Sequence, residues 1–220
     1  MNLGLLYLDE MKGFYKSKVM IVLWVGLPFL SFLLQFIQPD LEGLPVSTLV
    51  AIVISSIGGT LSSVMLSTSI TSERNRNVYD LFLIRPVKRF EILLSKYFGV
   101  FTCLIIAVLI SLGLGILADA YTIETPVSDL LQNNIDSLSI SMAGISISCS
   151  IGIVFGLLVK SVPVAAILSV YLGNVLSTII IMPTMNIPEL DPMIYSAIVG
   201  ICVTIISLIV SIVIFNRKQI

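Results

Sequence analysis

The residues of this chain best suited to chemistry crowd into one stretch, Ser72 to Lys96. It holds six of the 12 lysines and arginines: Arg74, Arg76, Arg85, Lys88, Arg89 and Lys96. The chemistry they suit is docking, because the usual catalytic sets are missing. There is no histidine anywhere, which removes the commonest general base and metal ligand. No GxxxxGK[ST] loop occurs, so this sequence does not encode a nucleotide-driven motor. The long apolar runs hold neither paired aspartates nor other charge, which argues against an intramembrane protease, an ion-coupled transporter and a channel. Cys103, Cys149 and Cys202 all fall within apolar runs, where a thiol packs as a small apolar side chain, so no disulfide or metal framework is implied.

The order of parts within the stretch is more specific than its charge. Ser72 is placed to cap a helix that carries Glu73 in its first turn, and Val78, Tyr79, Leu81, Phe82 and Leu83 follow as an apolar and aromatic set. Pro86 ends that helix by pushing Arg85 out of the helical region, and a second helix restarts at Val87 and runs into the next apolar run. From charge alone, the stretch reads equally well as an ordinary basic loop whose apolar residues dip into the headgroups. The sequence of an acidic-basic pair (Glu73, Arg74), an aliphatic and aromatic helix, Pro86, basic residues, Glu91, three apolar residues, Ser95 and Lys96 resembles the loop between spans two and three of ABC-2-type transporter permeases. The resemblance implies that Glu73, Arg74, Val78, Tyr79, Leu81, Phe82, Leu83 and Pro86 belong to a coupling helix that fits a groove on a separate ATP-binding subunit. It further implies an exporter permease working as a homodimer or as a heterodimer with a second permease. ATP and Mg would be bound by the partner subunit, with no cofactor, metal or catalytic residue on this chain and no role for nucleic acid.

The elements that must position this stretch are helices in a lipid bilayer. Of the 220 residues 57% are hydrophobic and 11% charged, which excludes a soluble domain and predicts an all-α integral membrane protein. Six apolar runs, at 19–38, 47–70, 97–118, 137–159, 163–183 and 194–215, each approach the ~20 residues that a ~30 Å hydrocarbon layer requires. The chain is therefore expected to be a single six-span domain over residues 1–220. Its cytoplasmic hairpin covers 71–96, and residues 1–18 form an amphipathic helix on the interface. Thr125-Pro126 is a plausible start for a small external helix. Serines alternate with larger residues over 137–150, a strand-like period. In so long an uncharged run, though, only a helix satisfies its own backbone.

Orientation follows from charge. With both termini cytoplasmic, the inner pieces (1–18, 71–96, 160–162, 216–220) carry all 12 basic and five acidic residues, a net +7, and the outer loops carry eight carboxylates and no cation. This obeys the positive-inside rule and predicts a multi-pass protein of the plasma membrane.

Within the runs the polar residues are small and regularly spaced. Ser55, Gly59, Ser63 and Ser67 form an every-fourth ladder in the second run, and Gly144, Ser148, Gly152 and Gly156 form another in the fourth. Such ladders let helices approach closely. The same residues of the second run, with the lone amide Asn174 of the fifth, are the candidates for lining a path. Pro163 and Pro183 are expected to mark the ends of the fifth run. An uncharged interior points to lipid-like, peptide or amphipathic cargo. Two other readings remain: the six-span substrate-binding subunit of a vitamin importer, and a non-transporting membrane scaffold or immunity protein.

Overall fold

The computed structural model describes residues 3–37, 46–76, 89–122, 127–183 and 191–217, and all of their regular structure is helical. In chain order the helices are α1 (Leu3–Tyr15), α2 (Lys18–Ile37), α3 (Val46–Asn75), α4 (Arg89–Thr122), α5 (Val127–Leu158), α6 (Val162–Ile181) and α7 (Pro192–Arg217). Four of them contain stretches long and apolar enough to cross a membrane: Phe90–Leu114, Leu138–Leu158, Val162–Ile179 and Pro192–Arg217, among the described residues.

α5 is the hub. Its serines, which read at period two along the sequence, point to three different neighbours once wound at 3.6 residues per turn, and a glycine faces a fourth. Ser139 Oγ lies 2.7 Å from Ser196 Oγ on α7. Ser146 Oγ is 2.6 Å from the Tyr97 hydroxyl on α4, and Ser148 Oγ is 2.9 Å from Ser177 Oγ on α6. On the fourth side, Gly152 meets Ser63 of α3. A helix surrounded on all sides has no lipid face to fill with bulk, so small residues appear all round it.

The two small-residue ladders pack against each other. A methyl built on Gly59 would lie 2.8 Å from Ser148 Oγ, one on Gly152 would lie 2.8 Å from the Ser63 carbonyl oxygen, and one on Gly156 would lie 3.1 Å from that of Ser67. Each pair is 89 residues apart (148 against 59, 152 against 63, 156 against 67), so α3 and α5 run parallel in strict register. α7 is also parallel to α5, since Ser196 pairs with Ser139 and Gly200 abuts Ala143. α4 runs the other way: Tyr97 meets Ser146 while Phe101, one turn later, shares a cavity with Met142. α6 closes the groove between α3 and α5 with a stripe of its own at Ala165, Ser169, Gly173 and Ser177. Ser169 Oγ is 2.9 Å from Ser67 Oγ, and Gly173 packs on Ser148. Hydroxyl bonds across membrane helices contribute on average only about 0.6 kcal/mol each, so this seam is held chiefly by close backbone contact.

Alternating helix direction sorts the charges. The C-terminal ends of α3, α5 and α7, near Arg74, Lys160 and Arg217, share one side of the bundle, and Asp136 and Asp191, at the starts of the apolar parts of α5 and α7, share the other.

Several boundaries differ from expectation. α4 begins at Arg89, and its apolar stretch starts at Phe90 rather than 97, so Lys96 lies within it. The helix expected after Thr125-Pro126 starts at Val127 but is continuous with the fourth apolar run, as one helix of 32 residues. α6 starts as foreseen, with Ser161 at its cap and Pro163 in its first turn, where a missing N–H costs nothing. α1 packs on α4 through buried Leu6, with Met11 and Phe14 against the core and Leu5, Leu8 and Tyr15 exposed.

Candidate functional site

At the root of the 77–88 segment three helices bring charges together. Lys96 of α4 places its ammonium 2.7 Å from Glu10 Oε1 of α1 and 2.7 Å from Glu73 Oε1 of α3. The lysine side chain is 4% exposed and the two glutamates 24% and 25%. Ser69, one turn before Glu73, donates to the same Oε1 at 3.0 Å, while Glu73 Oε2 is buried without a partner. A buried cation is costly in a membrane helix unless it is paired, and here two carboxylates pair it.

The local sequence explains why the three meet. Gly99 leaves room for α1 to lie on α4, since a methyl there would already touch Glu10 Cβ at 3.4 Å. Tyr7 then reaches Thr102 with its hydroxyl at 3.1 Å, and the Trp24 indole of α2 donates to the Cys103 carbonyl at 3.0 Å. Lys96 sits on the same helical stripe as Ile92, Val100, Cys103 and Ala107, all buried, so its stem packs with them.

The opposite face of the α3 terminus grips α5. The last carbonyls of any helix lack intrahelical donors. Here those of α5 receive Thr71 Oγ1 at Gly156 (3.0 Å), Arg74 Nη1 at Leu157 (2.8 Å) and, just beyond, Asn75 Nδ2 at Lys160 (2.9 Å). Residues 71, 74 and 75 are spaced i, i+3, i+4 and therefore share one face. The end of α3 is fastened on both sides.

This arrangement corrects one expectation. Ser72 and Glu73 do not open a new helix; they lie in the last turn of α3, which continues to Asn75, with the Arg76 amide donating to the Ser72 carbonyl at 3.1 Å. The local Ser-Glu cap signal loses to donors that find acceptors on α5 only if α3 continues. Of the expected coupling residues, Glu73 and Arg74 are thus engaged within the chain, and Val78, Tyr79, Leu81, Phe82, Leu83 and Pro86 lie outside the described residues. Gly59, Ser63 and Ser67 sit in the α3–α5–α6 seam; Ser55 is on α3 with its side chain outside what is described. Asn174 is half-buried beside an open recess of about 540 Å³ that it shares with Val64 and Tyr171. Sequence reasoning missed the ion cluster. Its signal was a lysine on an otherwise apolar stripe, hidden by starting the third run one residue after it.

Helices packed through a small-residue seam, four of them long and apolar enough to cross a membrane among the described residues, define a polytopic membrane protein. The chain belongs to the ABC-2 family: the model for the ABC-2 family transporter protein matches residues 6–216. No curated protein matches it significantly. It is accordingly a multi-pass membrane protein of ABC transporters, a transport component and not itself an enzyme, from a family whose permeases normally pair with an ABC ATP-binding subunit.

Proposed function

We propose that this chain is the permease subunit of an ABC exporter and that it receives work from a separate ATPase through residues 77–88. It crosses the membrane six times with both termini cytoplasmic and α1 on the inner interface, and it forms the path together with a second permease. ATP and Mg stay on the ATPase. The observation that carries this reading is the Lys96 cluster, which ties the helix entering the segment, the helix leaving it and α1 into one unit at its root. A push on the segment then displaces three helix ends together. α3 passes the displacement to α5, because their backbones touch at Ser63 and Gly152 and close-packed contacts do not absorb it.

Leu81 and Phe82 are the expected anchors, since buried aromatic and aliphatic side chains dominate such interfaces. A photo-crosslinking amino acid at position 82, introduced in the native host, should yield one product containing an ATP-binding-cassette protein, whereas the same group at Tyr171 on the exposed face of α6 should not. Crosslinks from position 82 to lipid alone would make the segment a membrane-surface loop and remove the basis for the exporter reading.

A further inference from the structure

Beyond the Tyr97–Ser146 hydrogen bond, α4, α5 and α7 line a cavity of about 330 Å³. That volume lies at the lower end of the range for small-molecule sites. Its walls are almost wholly apolar: Phe101 from α4, Leu138 and Met142 from α5, Met193 and Ile201 from α7. Gly200 deepens it by letting α7 touch Ala143. The hydroxyls within reach are spoken for, because Ser139 and Ser196 bond to each other and Ser146 bonds to Tyr97. The cavity body therefore offers a ligand apolar contact and little else.

The rim is different. Asp136 stands on α5 next to Ile135 and one turn before Ser139, both of which line the cavity. Asp191 stands at the start of α7, two residues before Met193, with its carbonyl accepting from the Tyr195 amide at 3.0 Å. Desolvation first, and then the nearby Asp191 carboxylate, push the Asp136 carboxyl above its ordinary value. Neither aspartate has an ion pair among the described residues, where the ion pairs are those of Lys96. Two carboxylates in the chain neighbourhood of lining residues Ile135 and Met193, with no ion pair among the described residues, complement a particular shape: a tail in the apolar recess and a cation at the interface.

We propose that the cavity between α4, α5 and α7 binds a membrane-dissolved amphiphile with a cationic head, its apolar body between Phe101, Met142 and Met193 and its head held by Asp136 and Asp191. The site is separate from the coupling segment, and binding requires no ATPase, so its test stands or falls independently of the proposed function.

The test uses the purified full chain in phosphatidylcholine nanodiscs and a dodecylamine carrying a photoreactive diazirine in its tail. Labelling should map to Met142, Met193 or Phe101. Unlabelled dodecylamine should displace it, with dodecanol weaker by about tenfold or more, as expected when a charged contact is lost. The isosteric double substitution Asp136→Asn with Asp191→Asn should reduce labelling by a similar factor while the protein elutes unchanged. Should that variant fail to fold, Met142→Trp, which fills the recess and leaves the aspartates alone, should abolish labelling. Competition by dodecanol equal to that by the amine would overturn the proposal, leaving only a greasy crevice. So would labelling that is unaffected by both sets of substitutions, or labelling confined to other helices.

Discussion

Lys96 shows how one side chain changes the account of a helix. Removing it leaves Glu10 and Glu73 facing one another around a buried gap. Breaking a buried ion pair from one side costs about 3–5 kcal/mol. The glutamates are about a quarter exposed, so water and protonation should bring Lys96→Met to the low end, about 3 kcal/mol. A denaturant titration in detergent should show this loss, and Glu73→Gln combined with Lys96→Met should recover part of it, because the residues share one network. A second prediction concerns Asp136. A carboxyl whose pKa is raised on folding binds protons more tightly in the native state, so stability falls as pH rises through its titration. Asp136→Asn should therefore melt higher than the parent protein at neutral pH, with the difference vanishing at a pH low enough to protonate the aspartate in both the folded and unfolded chain. A lower melting temperature at neutral pH would mean that the carboxylate has a favourable partner.

Helix contacts were half legible in the sequence. The every-fourth ladders of α3 and α5 could be read directly, since spacing fixes which face a residue occupies. That the two ladders meet each other could not, because periodicity names a face and never its partner. The same signal went unread in Ala165, Ser169, Gly173 and Ser177 of α6 and in Ser196, Gly200 and Thr204 of α7, although these are the stripes that fill the grooves beside α5. Ser72 was misread for a different reason: its capping pattern is local, whereas the α5 carbonyls that hold the α3 terminus lie 85 residues away. The seam predicts graded costs. Gly152→Ala places its methyl 2.9 Å from the Ser63 Cα, a backbone contact that only helix separation relieves. Gly59→Ala meets the Ser148 side chain, which can rotate away, and Gly113→Ala meets nothing within 4 Å. Thermal melts should rank Gly152→Ala well below Gly59→Ala, with Gly113→Ala at or above the parent because alanine is the better helix former. Equal behaviour of all three would mean that α3 and α5 do not touch.

At the scale of the molecule, composition was enough for the class, and the ABC-2 family match over residues 6–216 agrees with it. The bundle gathers Arg74, Lys160 and Arg217 at one end and Asp136 and Asp191 at the other, and the orientation proposed above, with the basic end in the cytoplasm, is the one the positive-inside rule favours. In a chain whose exposed Cys202 is replaced, single cysteines at Ser128 and Glu189 should react with an impermeant thiol reagent applied from outside, and those at Asn77 and Lys160 should not. The most direct test of the central claim is whether the segment between α3 and α4 holds the motor. If, as proposed, Phe82 enters an apolar groove on the ATPase, Phe82→Asp puts a carboxylate there at a cost of several kcal/mol unless it finds a partner. The variant should insert normally, lose the ATP-binding subunit during purification and lose permease-dependent ATP hydrolysis. Lys88→Ala, which on the same proposal removes only a rim charge, should retain both. If Phe82→Asp keeps the ATPase bound and its hydrolysis coupled, residues 77–88 are not where this permease is driven.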